Sequence, residues 1–422
     1  MTIRTTILPN GLRVVTDTIE TVETIALGVW VKVGSRHETS EMNGISHMLE
    51  HMNFRGTKRH TAREIAEKIE AVGGHLNAYT SREHTGYYAR ILKQDLSLAI
   101  DLLSDILQFS IFNIEEFERE KTVVLQEISQ AHDTPDDIIF DLFQETAFPA
   151  QPLGYPIIGR PEIIKSFKLE DLKNHIEAQY VSSNMVIAAA GKIEHERFVD
   201  LVSHHFTNAI NAKPKDAVLC EYKGGDLRVT RDLEQVHLVL GFPSVRIGHE
   251  DYYATSLLAT ILGGGMSSRL FQEVREKRGL VYEIQSFING FSDHGIFGIY
   301  ASANPHEAKD LLPIVCEELL AFPLTMTQKE LDRAKAQLKA SMMMALESTA
   351  ARCEQLVQQT LVYGRPLETT EILNFIDRVE LEKAKIIASS IFSQPITFSA
   401  IGPTKVLENY ESLTRRLGTL PR

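Results

Sequence analysis

Cysteine is scarce in this chain: Cys220, Cys316 and Cys353 are the only three among 422 residues. They stand far apart with no paired spacing. They read as buried or idle thiols of a reducing, cytoplasmic compartment, which excludes a disulfide frame and a cysteine-ligated zinc knuckle. Long apolar runs are also lacking; nothing approaches the roughly 18 unbroken apolar residues that a membrane helix needs. The opening stretch MTIRTTILPNGLRVV has neither a basic-then-apolar signal nor an Arg-rich leader, so no membrane or export role is expected. Positive charge is in deficit, with 44 Lys and Arg against 56 Asp and Glu. A net charge of −12 disfavours nucleic acid and anionic lipid, and suits basic ligands where it is focused in a cleft. What remains, 43% hydrophobic and 24% charged, is globular in character and too long for one typical core.

What is present comes twice. ALGVWVKVG at 26–34 resembles VHLVLGFPSV at 236–245, and HTGYYARI at 84–91 echoes HGIFGIYA at 294–301. EEFEREK at 115–121 matches KELDRAK at 329–335, and NMVIAAAGKI at 184–193 matches PITFSAIGPT at 395–404. The offset stays at 210 to 214, which indicates one duplicated unit. The expected division is a first domain at 1–210, a polar, Pro-bearing linker at 211–225 and a homologous second domain at 226–422. In each, strands come first, helices follow and a strand closes the unit. The expected fold class is therefore α+β, two domains each with a mostly antiparallel sheet and helices packed on it. Thr61 and Glu64 form a capping-box pattern for a helix that Gly73-Gly74 stop, and a second helix starts at Asn113 with Glu116 as its reciprocal cap.

The stretch NGISHMLEHMNF, Asn43 to Phe54, carries the chemistry. On a helix, His47 and His51 lie one turn apart on one face, so both imidazoles reach a single ion. Glu50 stands beside that face, placed to touch a water without ligating the metal. Zinc suits this set, since it accepts neutral imidazole and carboxylate and tolerates an open fourth position. The alternative is a surface helix with two solvated histidines. A catalytic zinc needs a third protein ligand, and EREKTVVLQEI puts Glu120 and Glu127 two turns apart on one helical face. One carboxylate would complete the shell, and the other would orient a ligand histidine through its second ring nitrogen. The second half lacks the set: Ala334 falls opposite Glu120, Ser341 opposite Glu127, and ATSLLATILGG opposite the histidine motif.

The segments GISHMLEHMNFRGT, GGHLNAYTSREHTGYYA, FEREKTVVLQEI and GGGMSSRLFQEVREKRGLVYEIQSF resemble the pitrilysin family of inverted zinc peptidases, whose motif is H-x-x-E-H. The likeness is to the shorter-chain branch with the bacterial homologues of the mitochondrial processing peptidase β subunit, over essentially the full length. The resemblance implies that Glu127 is the third zinc ligand, Glu120 supports the site and Glu50 handles the proton. It makes LNAYTS at 76–81 an edge strand that pairs with extended substrate, with Asn77 helping to hold the backbone. It places Phe54 beside the residue after the cut, and Asp137 and Asp141 around an arginine before it. Arg275 and Tyr282 match a pair that holds substrate backbone and stabilises the oxyanion. A zinc-dependent endopeptidase for short or unfolded peptides, working as a homodimer with two domains around a chamber, is the expected protein. Family relatives that serve as non-catalytic or partner-dependent assembly subunits define the rival reading.

Overall fold

The structure is a computed structural model and describes residues 2–208 and 211–419. The first half builds a six-stranded sheet from β1 (Thr2–Ile7), β2 (Arg13–Thr18), β3 (Thr24–Val31), β4 (His75–Thr80), β5 (Thr85–Leu92) and β6 (Met185–Gly191). The strand order is β1-β2-β6-β3-β5-β4; β2 and β6 run parallel and the other pairs antiparallel. The second half contributes β7 (Gly225–Thr230), β8 (Val236–Ser244), β9 (Glu283–Gly290), β10 (Gly295–Ala303) and β11 (Thr397–Gly402). Their order is β7-β11-β8-β10-β9, again with one parallel pair, β7 with β11. With β1 set aside, the two orders correspond strand for strand. The repeated segments fall on β3 and β8, β5 and β10, and β6 and β11, so what is duplicated is the fold. This is the expected α+β class.

Strand β3 shows why the first sheet is covered on both faces. Its Leu27, Val29 and Val31 enter one core with Leu102, Leu103, Phe198 and Val202, while Ala26 and Trp30 enter another with Cys353, Leu356 and Val357. Successive side chains of a strand point to opposite faces, so a strand apolar throughout demands cover on each. The second cover is the helix Thr349–Tyr363, drawn from the second half of the sequence. Burying each of its large apolar side chains contributes about 1.5–3 kcal/mol. The buried ion pair between Arg352 and Asp17, at 2.7 Å, adds a polar anchor.

The compact units therefore interleave along the sequence. One comprises Met1–Gln130, Tyr155–Val218 and Met343–Leu367; the other comprises Ala131–Gly154, Leu219–Met342 and Glu368–Arg422. In the second unit, the helix Pro135–Ala147 puts Ile138, Ile139 and Phe143 into the core with Val239, Tyr300 and Ile401. A division cut once at residues 211–225 does not describe this exchange. Local punctuation follows expectation more closely. Thr61 and Glu64 form both bonds of the capping box, and Asn113 accepts from the N–H groups of Glu115 and Glu116. Glu116 itself binds Arg119 at 2.7 Å instead of closing the reciprocal bond. Among the described residues, no helix is long and apolar enough to cross a membrane.

Candidate metal centre

Two helices of the first unit build the centre. The motif helix, Ile45–Asn53, buries Ile45, Met48 and Met52 against Phe117, Val124 and Ile128 of the carboxylate helix, Ile114–His132. Residues 117, 120, 124 and 127 lie on one stripe of the carboxylate helix, so the packing that buries Phe117 and Val124 also carries Glu120 and Glu127 to the histidines. His47 and His51 face each other edge to face, with ring centroids 4.7 Å apart.

The donor atoms converge. His47 Nε2 lies 3.7 Å and His51 Nε2 3.4 Å from the same oxygen, Oε2 of Glu127. Ligands about 2.0–2.1 Å from a tetrahedral zinc stand about 3.3 Å from one another, so the set fits that ion with small adjustments. Among the described residues it is the only group of three such side chains whose ligand atoms lie within 4.8 Å of one another. The other ring nitrogen of His51, Nδ1, donates to Glu120 Oε2 at 3.1 Å, which leaves Nε2 to face Glu127. Glu120 is only 1% exposed and also pairs with Arg55 Nε at 2.8 Å. The His47 Nδ1 atom is buried and has no hydrogen-bond partner among the described residues.

Without a cation, protons take the charge. Burial favours neutral His51 most strongly, yet the Glu120 and Glu127 carboxylates outweigh it and raise the imidazole to about 9. His47, buried and next to protonated His51, falls to about 4. For Glu120, burial pushes the carboxyl up, but His51 and Arg55 prevail and hold it below the ordinary carboxylate value. Glu127 is also held low, chiefly by His51. Glu50 moves the other way: burial raises its carboxyl, opposed by the Thr80 hydroxyl, which donates to Oε2 at 2.6 Å. A carboxylate shifted toward neutrality beside a cation site is suited to accepting and returning a proton.

The remaining expected residues distribute as follows. Asn77 is exposed on β4, the edge strand of its sheet, and its side-chain oxygen accepts from the N–H of Ala78 at 2.8 Å. Phe54 ends the motif helix, stacks near Tyr87 at 6.4 Å and lines a cavity of about 300 Å³ with Ile65, Ile69 and Leu76. Asp137 and Asp141 ride on the helix Pro135–Ala147, whose core contacts belong to the second unit and not to the unit of the histidines. Burial, then Asp141 and Asp136, raise the Asp137 carboxyl. Arg275 and Tyr282 also belong to the second unit. The Tyr282 side chain is 73% exposed, and the Arg275 guanidinium lies 5.9 Å from its ring centre.

Sequence reasoning passed over Glu38 and Thr80. Glu38 takes up the free N–H groups at the start of the motif helix, and Thr80 binds the Glu50 carboxylate. Glu38 precedes its helix by too many residues to form a local capping pattern. Thr80 was legible only as a strand residue.

Residues 13–160 match the family described as insulinase (peptidase family M16), and residues 166–338 match the peptidase M16 inactive domain. An uncharacterized zinc protease of Rickettsia felis is 40% identical over 94% of this chain and 96% of its own length. A probable mitochondrial-processing peptidase subunit beta of Arabidopsis thaliana is 37% identical over 98% of this chain and 81% of its own. The crystal structure of a protease from Helicobacter pylori superposes with a TM-score of 0.88, at 26% identity, over 95% of this chain and 99% of that one.

Proposed function

The chain belongs to peptidase family M16, the insulinase family of zinc peptidases, and from that premise we propose that it is an endopeptidase for short or unfolded peptides that prefers basic residues near the cut. The observation that carries the reading is the convergence of His47, His51 and Glu127, with the Glu50 carboxylate held beside them. Zinc, when bound there, supplies Lewis acidity toward the scissile carbonyl and acidifies a water. Glu50 accepts the proton of the attacking water and returns it to the leaving amine, a role its raised carboxyl supports. Glu120 orients His51 through Nδ1 and leaves the other nitrogen to the metal.

An extended peptide adds to the free edge of β4, where Asn77 now binds an edge N–H and can exchange it for substrate. Folded proteins cannot present such a strand, which accounts for the selection of short or unfolded chains. Phe54 contacts the side chain after the cut. Asp137 and Asp141, one helical turn apart, clasp a guanidinium before it, in keeping with the net charge of −12. Arg275 holds substrate backbone and the exposed Tyr282 hydroxyl stabilises the oxyanion. The working form is a cytoplasmic homodimer of this one chain.

The decisive experiment is to purify the chain alone, load it with zinc and offer a quenched basic peptide. Cleavage that a chelator abolishes and zinc restores is expected, and Glu50→Gln should retain about one zinc per chain while turnover falls by at least 10²–10⁴-fold. Wild-type turnover in the Glu50 variant, or no stoichiometric zinc on the wild-type chain, would sink the reading.

A further inference from the structure

The motif helix starts without a side-chain cap of its own. Its N-cap is Gly44, at φ +94°, where a Cβ would stand 2.7 Å from the Cα of Gly159. The first turn is held instead by Glu38, which ends the turn Ser35–His37, with the turn Ser40–Met42 between it and the helix. Its carboxylate accepts from the backbone N–H of Gly44 at 2.7 Å, the backbone N–H of Ser46 at 2.9 Å and the side-chain amide of Asn43 at 3.1 Å. The residue is 4% exposed, so these donors replace water around it. A carboxylate suits this place, because helix N-termini carry unpaired N–H groups and partial positive charge.

We infer that Glu38 is a positioning residue for the metal centre: by gripping the first turn from outside the helix, it sets the rotation at which His47 and His51 both meet Glu127. This rests on the reading that those three side chains hold zinc. The need for such a grip follows from the packing. The helix is seated through Ile45, Met48, Leu49 and Met52, and two of these four are methionine, the most adaptable of core residues. Side-chain tips lie about 5–6 Å from a helix axis, so a rotation of about 10° moves a ligand nitrogen by about 1 Å. Metal–ligand distances tolerate about 0.2 Å. Non-directional apolar contact, half of it through flexible methionines, constrains rotation less than two directional hydrogen bonds to the backbone.

The grip needs the ionised acid, since a protonated carboxyl gives up acceptor capacity to donors that have no alternative. Burial raises Glu38 to about 7, against the opposing pull of its donors. The titratable groups around it do not offset this. His37 on its own turn and His175, whose Nε2 lies 3.3 Å from Ser46 Oγ, are both pushed down to about 4 by burial and stay neutral. Arg36 is turned to Glu83. The sign of the linkage is therefore split. A carboxyl raised above its unfolded value favours the fold below that value, and this contribution is lost as pH rises through about 7. The zinc site, in contrast, gains as the same proton leaves.

That opposition is the test. Zinc affinity by chelator competition and melting of the metal-free protein are measured for wild type and Glu38→Gln between pH 6 and 8. The ratio of the two affinities removes the titration of the ligands themselves. Glu38→Gln should bind zinc roughly tenfold more weakly at pH 8, and the ratio should shrink toward one at pH 6. Over the same range, the metal-free wild type should lose stability relative to the variant. Equal affinity at pH 8, or a deficit that ignores pH and comes with a uniformly lower melting temperature, overturns the inference. If Glu38→Gln does not fold, Asn43→Ala carries the same test, because it removes one donor and leaves both backbone bonds. It should bind zinc more weakly at pH 7 and recover by pH 8.5; unchanged affinity at pH 7 overturns the inference. If His47→Ala binds zinc as wild type does, it is the metal-centre reading that fails.

Discussion

Glu120 never touches the metal in the proposed site, yet its removal should weaken zinc binding. Its carboxylate is buried, accepts from His51 Nδ1 at 3.1 Å and pairs with Arg55 at 2.8 Å. Glu120→Ala strands both partners. Breaking a buried pair costs about 3–5 kcal/mol, and the partly exposed Arg55 can turn to water, which puts the loss of metal-free stability near about 3 kcal/mol. The His51 ring also loses the bond that fixes its tautomer and orientation. Loss of such a partner lowers metal affinity by about 10–100-fold. Glu120→Gln separates the two effects. Its carbonyl can still accept from Nδ1, so ring orientation survives while the charge is lost, and zinc binding should fall only about tenfold. Competition against a fluorescent chelator, with melting curves in the presence of EDTA, reads both quantities. Zinc binding within twofold of wild type in Glu120→Ala, or a Gln variant weaker than the Ala variant, would refute steering through Nδ1.

Three further outcomes follow from the same geometry. Thr80→Val removes the hydroxyl that lowers the Glu50 carboxyl, so the acid limb of kcat/KM should move to higher pH; an unmoved limb would detach Thr80 from Glu50. The metal-free protein should lose stability as pH rises from 6.5 through about 9, because raised His51 contributes fully below 6.5 and not above its folded value. His51→Gln should flatten that slope in thermal melts, and an unchanged slope would show that another group sets it. Asp137→Ala with Asp141→Ala should cut the preference for arginine peptides over their neutral counterparts by about tenfold, less where water screens the exposed Asp137. A peptide-library profile that keeps its basic preference would remove these residues from the substrate site.

The parts of this protein legible in sequence are those whose signal is local or repeated. H-x-x-E-H spacing puts two imidazoles on one helical face, and the seven-residue spacing of Glu120 and Glu127 brings both carboxylates to the neighbouring stripe. The repeat offset announces two sheets of one topology. Neither the exchange of helices nor the grip of Glu38 has such a signature. The period of Thr349–Tyr363 shows which of its faces is apolar, but not which of two similar sheets that face will cover. The resemblance points to Asp137 and Asp141 as a pair, but it takes the packing of Ile138, Ile139 and Phe143 beside them to show that their helix enters the core of the second unit.

The duplication also shows what the fold itself requires. Ala334, opposite Glu120 in the repeat, is buried to the same 1% exposure on the helix Gln328–Ala345. One architecture thus accepts a methyl group at that depth in one copy and an ionised carboxylate in the other. Packing gives no reason for the charge, and desolvating it opposes folding. The carboxylate is tolerable only because His51 and Arg55 are arranged around it, and His51 is in turn one of two imidazoles aimed at Glu127. A buried charge that its own structural twin dispenses with is best explained by the chemistry it supports. The stability lost in Glu120→Ala should accordingly come from stranded partners and not from a cavity. The double variant Glu120→Ala, Arg55→Met should therefore regain only the small part of the melting temperature that Arg55 accounts for, since His51 stays stranded, and none of the zinc affinity; full recovery of the melting temperature, or any recovery of zinc affinity, would contradict that account.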